Sequence, residues 1–161
     1  MQQPVMEQTK LILFAILILV LSGCGTTSTV MDPIEASEVK PYKVSVEYNV
    51  SVEDDWKYMF ESKLKSELAA ARMQSDENDK AANSAEIIFI TFRLRDDGTR
   101  FMAGIFAGTD EVTSEITVRD AAGAVIGKGV VTTSNSSAWG SNEGYLGDHA
   151  RDVVKFLRGE S

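Results

Sequence analysis

Cysteine, histidine and proline are almost missing from this sequence: its 161 residues hold one, one and three of them. A single cysteine excludes an intramolecular disulfide and any thiolate metal cage, and a single histidine excludes the paired-histidine spacing of a helical zinc site. The fold must therefore close by apolar burial alone. Positive charge is also scarce, with 16 Lys and Arg against 24 Asp and Glu and a formal net charge of −8. Such a chain repels phosphate backbones, and no basic stripe with interleaved aromatics offsets the repulsion, so nucleic acid is not expected as a partner. Glycine-rich phosphate loops are absent too. Neither G-x-x-x-x-G-K-[ST] nor G-x-G-x-x-G after a strand occurs, and no cofactor is expected.

What the chain does have is one long apolar run. Leu11 to Leu21 are eleven uninterrupted apolar residues, preceded by Lys10 and followed by the small Ser22 and Gly23 and then by Cys24. A bilayer-spanning helix needs about 20 such residues, whereas a secretory signal core needs roughly 7–15. The run thus reads as an address for export. Leu21-Ser22-Gly23-Cys24 resembles the lipobox of bacterial lipoproteins, which implies cleavage before Cys24 and acylation of its thiol. Gly25 follows where an aspartate would resemble an inner-membrane retention signal, so the resemblance implies the outer membrane, with the domain facing the periplasm. Several acyl chains on Cys24 would hold the protein stably, where one would bind marginally. A signal of residues 1–23 leaves 138 residues, the size of one domain.

Beyond Cys24, residues 24–40 are small and polar with one proline, Pro33, and read as the lipidated cysteine and a flexible tether spanning roughly 20–24 Å. Residues 41–161 read as a single α+β domain. Val44, Val46, Tyr48 and Val50 alternate with polar residues, as in a half-buried strand. Ser51 or Asp54 is placed to cap a helix over residues 55–73, whose Trp56, Phe60, Leu64 and Leu68 recur every four positions. Residues 74–84 read as a surface loop. Residues 85–95, AEIIFITFRLR, read as a central strand. Glu111–Arg119 alternates cleanly, turns at Asp120-Ala121-Ala122-Gly123 and returns over Ala124–Thr133, where Gly127 and Gly129 mark a bulge or a close backbone approach. A last amphipathic helix covers residues 145–158. The expected order is strand, helix, strand, strand, strand, helix. It makes a mixed or antiparallel sheet with both helices on one face, and a right-handed crossover joins the first two strands in parallel.

Arg100–Gly108, RFMAGIFAG, is unlike the rest of the domain, since large apolar side chains alternate with residues that disfavour regular structure. Two readings stay open: a buried strand edge whose glycines admit a close neighbour, or an exposed patch of Phe101, Met102, Ile105 and Phe106 that docks on a partner protein or a lipid surface. With its Arg100, Met102, Gly104 and Gly108, and with Asp120 and Gly123 of the hairpin, the chain resembles a family of Gram-negative lipoproteins carrying an R-x-M/L-x-G-x-x-x-G segment. The hairpin has one residue fewer than the family's D-x-x-x-G. The architecture is also similar to the N-terminal domain of the translocation protein TolB. That resemblance implies location and fold, and no activity.

Catalytic chemistry has few candidates. His149 is flanked by Asp148, with Asp152 three positions on, so a carboxylate–imidazole pair on one helix face is geometrically possible. A hydrolase also needs a nucleophile and an oxyanion site, and Ser134, Ser136 and Ser137 lack the G-x-S-x-G elbow. His149 is accordingly read as a surface residue at a helix start, and no enzyme is expected. The function expected is that of a non-catalytic lipoprotein serving as an accessory, assembly or interaction subunit of the envelope. The alternative is a small-ligand or lipid-binding lipoprotein with a pocket between helix and sheet.

Overall fold

Alternating apolar residues build the sheet, and their register sets which side chains meet. The computed structural model describes residues 25–76, 78–95, 108–135 and 140–160. Its strands are β1 (Gly25–Asp32), β2 (Tyr42–Tyr48), β3 (Asn83–Arg93), β4 (Asp110–Arg119) and β5 (Val125–Asn135). Its helices are α1 (Asp54–Ala70) and α2 (Asn142–Leu157), with a single 3-10 turn at Ala36–Glu38. The five strands lie in the order β1-β5-β4-β3-β2. Only β2 and β3 run parallel, across the α1 crossover, and the other neighbours are antiparallel. The α+β class and the mixed sheet with two helices on one face are as the sequence implies.

Core formation follows directly. Ile87 and Phe89 of β3, Val112, Ile116 and Val118 of β4 and Val131 of β5 are buried on the helix-covered face. Phe60, Leu64 and Leu68 of α1 meet them, as do Leu146, Ala150, Val153 and Leu157 of α2. Phe60 packs edge-on against Phe89 at 4.7 Å between ring centroids, and Tyr48 stacks on the same ring at 4.9 Å. Tyr42 Oη donates to the Leu157 carbonyl at 2.9 Å, tying the end of α2 to the start of β2.

Three expectations need correction. Residues 25–40 are not a plain tether: Gly25–Asp32 pairs antiparallel with β5, from Gly25 opposite Ser134 to Asp32 opposite Lys128. Ile34 beyond it is buried, and the backbone carbonyl of Glu38 accepts from Asn83 Nδ2 at 2.7 Å. The α1 N-cap is neither Ser51 nor Asp54 but Glu53, which has extended backbone and no side-chain cap bond, with Asp54 and Asp55 in the first turn. The last helix begins three residues earlier than its apolar spacing indicated, because Ser141 Oγ accepts the Gly144 N–H at 3.1 Å and caps it.

Gly127 and Gly129 do mark close approaches. A Cβ on Gly129 would stand 2.5 Å from Cε2 of Phe156, and one on Gly127 would run into the side chain of Ile34. Glycine lets α2 and the segment after β1 settle directly onto the β5 backbone.

Candidate functional site

Three features could carry chemistry: a polar cluster inside the core, a buried ion pair at one end of the sheet, and a groove beside β2.

The cluster centres on His149, which is fully buried and not on the surface as its position in the sequence suggested. It sits three residues after Leu146 and four before Val153, on the apolar face of α2. There it meets two inward hydroxyls, one from each central strand. Ser114 Oγ of β4 lies 3.1 Å from Nε2, and Thr133 Oγ1 of β5 lies 2.9 Å from Nδ1. Tyr145 Oη donates to the Thr133 carbonyl. The rings of Phe60 and Phe89 lie 5.8 and 5.6 Å away. Burial among these rings lowers the imidazole pKa to about 4, partly opposed by the nearby Asp152 carboxylate. The ring is therefore neutral at pH 7, one nitrogen donating to a hydroxyl and the other accepting from one.

A Ser–His contact invites a nucleophile-and-base reading. Here the second imidazole nitrogen meets a threonine, and Ser114, Thr133 and His149 have no exposed surface through which a substrate atom could reach Oγ. The carboxylates expected to assist are engaged elsewhere: Asp148 pairs with Arg151 at 2.8 Å and Asp152 with Lys155 at 2.7 Å. The trio satisfies polar groups between α2 and the sheet.

The ion pair joins Arg95, just beyond β3, to Asp110 at the start of β4. Asp110 Oδ2 accepts from Arg95 Nη2 at 3.0 Å, and Oδ1 accepts both the Arg95 backbone N–H at 2.7 Å and its Nε at 3.2 Å. Nη2 also donates to the Asn135 carbonyl at 3.1 Å, and Asn142 Nδ2 donates to the Arg95 carbonyl at 3.1 Å. Arg95, through its guanidinium and its backbone, thus ties together the ends of β3 and β5 and the starts of β4 and α2.

The groove, about 320 Å³, runs along the outer edge of β2. Val44 and Val46 of β2 and Leu64 and Leu68 of α1 line it, together with the exposed Glu61 and Lys65.

Of the residues singled out from the sequence, Cys24, Arg100, Phe101, Met102, Gly104, Ile105 and Phe106 lie outside the described residues. Gly108 is described: it is exposed, and its φ of +90° lies in the region that favours glycine. Arg95 and Gly108, between which residues 96–107 run, stand at the same end of the sheet as Gly25. Among the described residues, no group of three side chains is arranged to hold a metal ion, and no helix is long and apolar enough to cross a membrane. Sequence reasoning missed the Arg95–Asp110 pair and the hydroxyl partners of His149. The available signal was Ser114 on the otherwise apolar Val112–Ile116–Val118 face of β4.

No protein-family model matches the chain, and no curated protein matches it. Solved structures do share the fold. The chain resembles the PelC dodecamer from Paraburkholderia phytofirmans at a TM-score of 0.54 with 15% identity, covering 84% of this chain and 97% of that one. It resembles a point-substituted PelC dodecamer from the same organism at a TM-score of 0.56 with 16% identity and the same coverage.

Proposed function

We propose that the protein is a non-catalytic lipoprotein of the bacterial outer membrane, anchored through acyl chains on Cys24, facing the periplasm and acting as an assembly or interaction subunit of the envelope. The observation that carries this reading is the leader itself: eleven apolar residues, too few to span lipid, ending in Leu21-Ser22-Gly23-Cys24. The sealed surroundings of His149 support the absence of a hydrolytic role for it. The fold shared with PelC, whose solved structures are dodecamers, supports self-assembly as the form of that subunit role. Cys24→Ser tests the anchor. The variant is expected to lose metabolic palmitate labelling and to move from the membrane pellet to the soluble fraction, and a variant that stays fully in the pellet refutes the reading.

The interaction patch proposed for Phe101, Met102, Ile105 and Phe106 has its own test. Ile105→Asp with Phe106→Asp is expected to abolish partner co-purification with Tm nearly unchanged, while a large fall in Tm assigns both residues to the core.

A second reading, ligand binding, is favoured by the groove between β2 and α1, where Val44, Val46, Leu64 and Leu68 meet Lys43, Glu61 and Lys65, a lining that suits a small amphipathic ligand. A native mass spectrum of the intact lipoprotein released in mild detergent is expected to show a bound mass if this reading holds.

A further inference from the structure

We infer that the end of the sheet where β1 begins is the face that lies against the lipid headgroups, held there with no slack between anchor and fold. The inference rests on the acylation of Cys24 proposed above. Gly25, the next residue, is already paired with Ser134 of β5. One residue of chain reaches at most about 3.6 Å, so the acyl-bearing residue cannot stand off from the sheet edge as a tethered one would.

Register then names what shares that level. Gly25 pairs with Ser134, Ser134 with Glu111 and Glu111 with Arg93, giving one row across β1, β5, β4 and β3. The charges in and beside this row cancel. Arg93 meets Glu111 at 3.3 Å, and Arg95 meets Asp110 at 3.0 Å. Arg93 and Glu111 are exposed to solvent at this level while Arg95 and Asp110 are buried beneath it, so among the described residues the row carries no net charge toward an anionic headgroup layer. The acidic stretch Glu53–Asp55 opens α1 at this same end of the sheet, five residues beyond the end of β2, and there Asp54 is paired with Lys57 at 2.9 Å. At the other end, β4 turns into β5 through Asp120-Ala121-Ala122-Gly123, where Asp120 Oδ1 accepts the N–H groups of Ala122 and Ala124 at 2.9 and 2.8 Å. Ten residues of β4 place that turn on the order of 30 Å from the row.

The domain thus stands with its strands rising from the membrane, the row Gly25–Ser134–Glu111–Arg93 at the lipid and the Asp120–Gly123 turn at the periplasmic tip. The test uses the acylated full-length product, reconstituted in phosphatidylethanolamine–phosphatidylglycerol vesicles containing headgroup-labelled quencher lipid. A fluorophore is attached at Thr26→Cys or at Ala122→Cys, both exposed positions. Several-fold stronger quenching at 26 than at 122 is expected, and ten Gly/Ser residues inserted between Cys24 and Gly25 should abolish the difference. Equal quenching at the two sites of vesicle-bound protein overturns the orientation and leaves the anchor standing. Protein that washes off the vesicles overturns both. A difference that survives the insertion overturns the claim that the missing slack sets the orientation.

Discussion

His149 shows at the level of one side chain how burial sets a titration. Its pKa is about 4 in the fold and about 6.5 in the unfolded chain, so between these values the unfolded state binds more protons. The stability this group contributes is complete above pH 6.5 and is lost as pH falls toward 4. The shift corresponds to roughly 3 kcal/mol. Urea unfolding at pH 7 and pH 4.5 is expected to show a large acid loss for the wild type and a smaller one for His149→Gln, whose amide retains hydrogen bonds without titrating. The Arg95–Asp110 pair gives a second expectation. Asp110→Ala leaves a buried guanidinium without its carboxylate and should cost about 3–5 kcal/mol by the same measurement. Neither environment was legible from residue type alone. A histidine beside Asp148 looks solvated until its spacing to Leu146 and Val153 is set beside Ser114 on an apolar strand face. The pairing of Arg95 with Asp110 depends on a strand register that no local pattern encodes.

Among the elements, those with strong periodicity were readable. The Leu64–Leu68 stripe of α1, the alternation of β4 and the hairpin into β5 each announce which face is covered, and both helices do pack on one side. β1 was not readable, because an edge strand whose residues 26–29 are all exposed has no apolar alternation. Thr26, Thr27 and Thr29 offer only β-branching, which a loop also tolerates. The distinction is measurable. Replacing Gly25–Asp32 with Gly/Ser repeats leaves a spacer's length unchanged but removes a strand that brings Val30 against the core. The expected cost is about 2 kcal/mol, or roughly 5–8 °C in Tm by calorimetry, whereas a tether would show none. Gly129→Ala probes the approach of α2 to β5. Its Cβ meets the Phe156 ring, and a loss of about 1–3 kcal/mol is expected from overpacking.

For the whole molecule, the free edges of β1 and β2 matter most. Both are outermost in the sheet, β2 being bridged on its outer side only at Tyr42, by Met73 and Ser75, among the described residues, and a head-to-tail contact between unlike edges closes into a ring when the rotation permits. Sedimentation velocity of the full-length protein in detergent is expected to give a species several times the monomer mass if the proposed self-assembly holds, and a monomer at micromolar concentration counts against it.

The pairing of Gly25 with Ser134 also orders events in time. β1 waits for β5 to be made, because its partner lies more than a hundred residues downstream. Contacts this distant in sequence form late, after the α1 crossover and the β4–β5 hairpin have organised themselves. Until then Gly25 and the residues after it lack the partner strand that fixes them. Once β5 arrives, the edge strand locks, and any trimming and acylation at Cys24, as proposed above, becomes a race against the completion of folding.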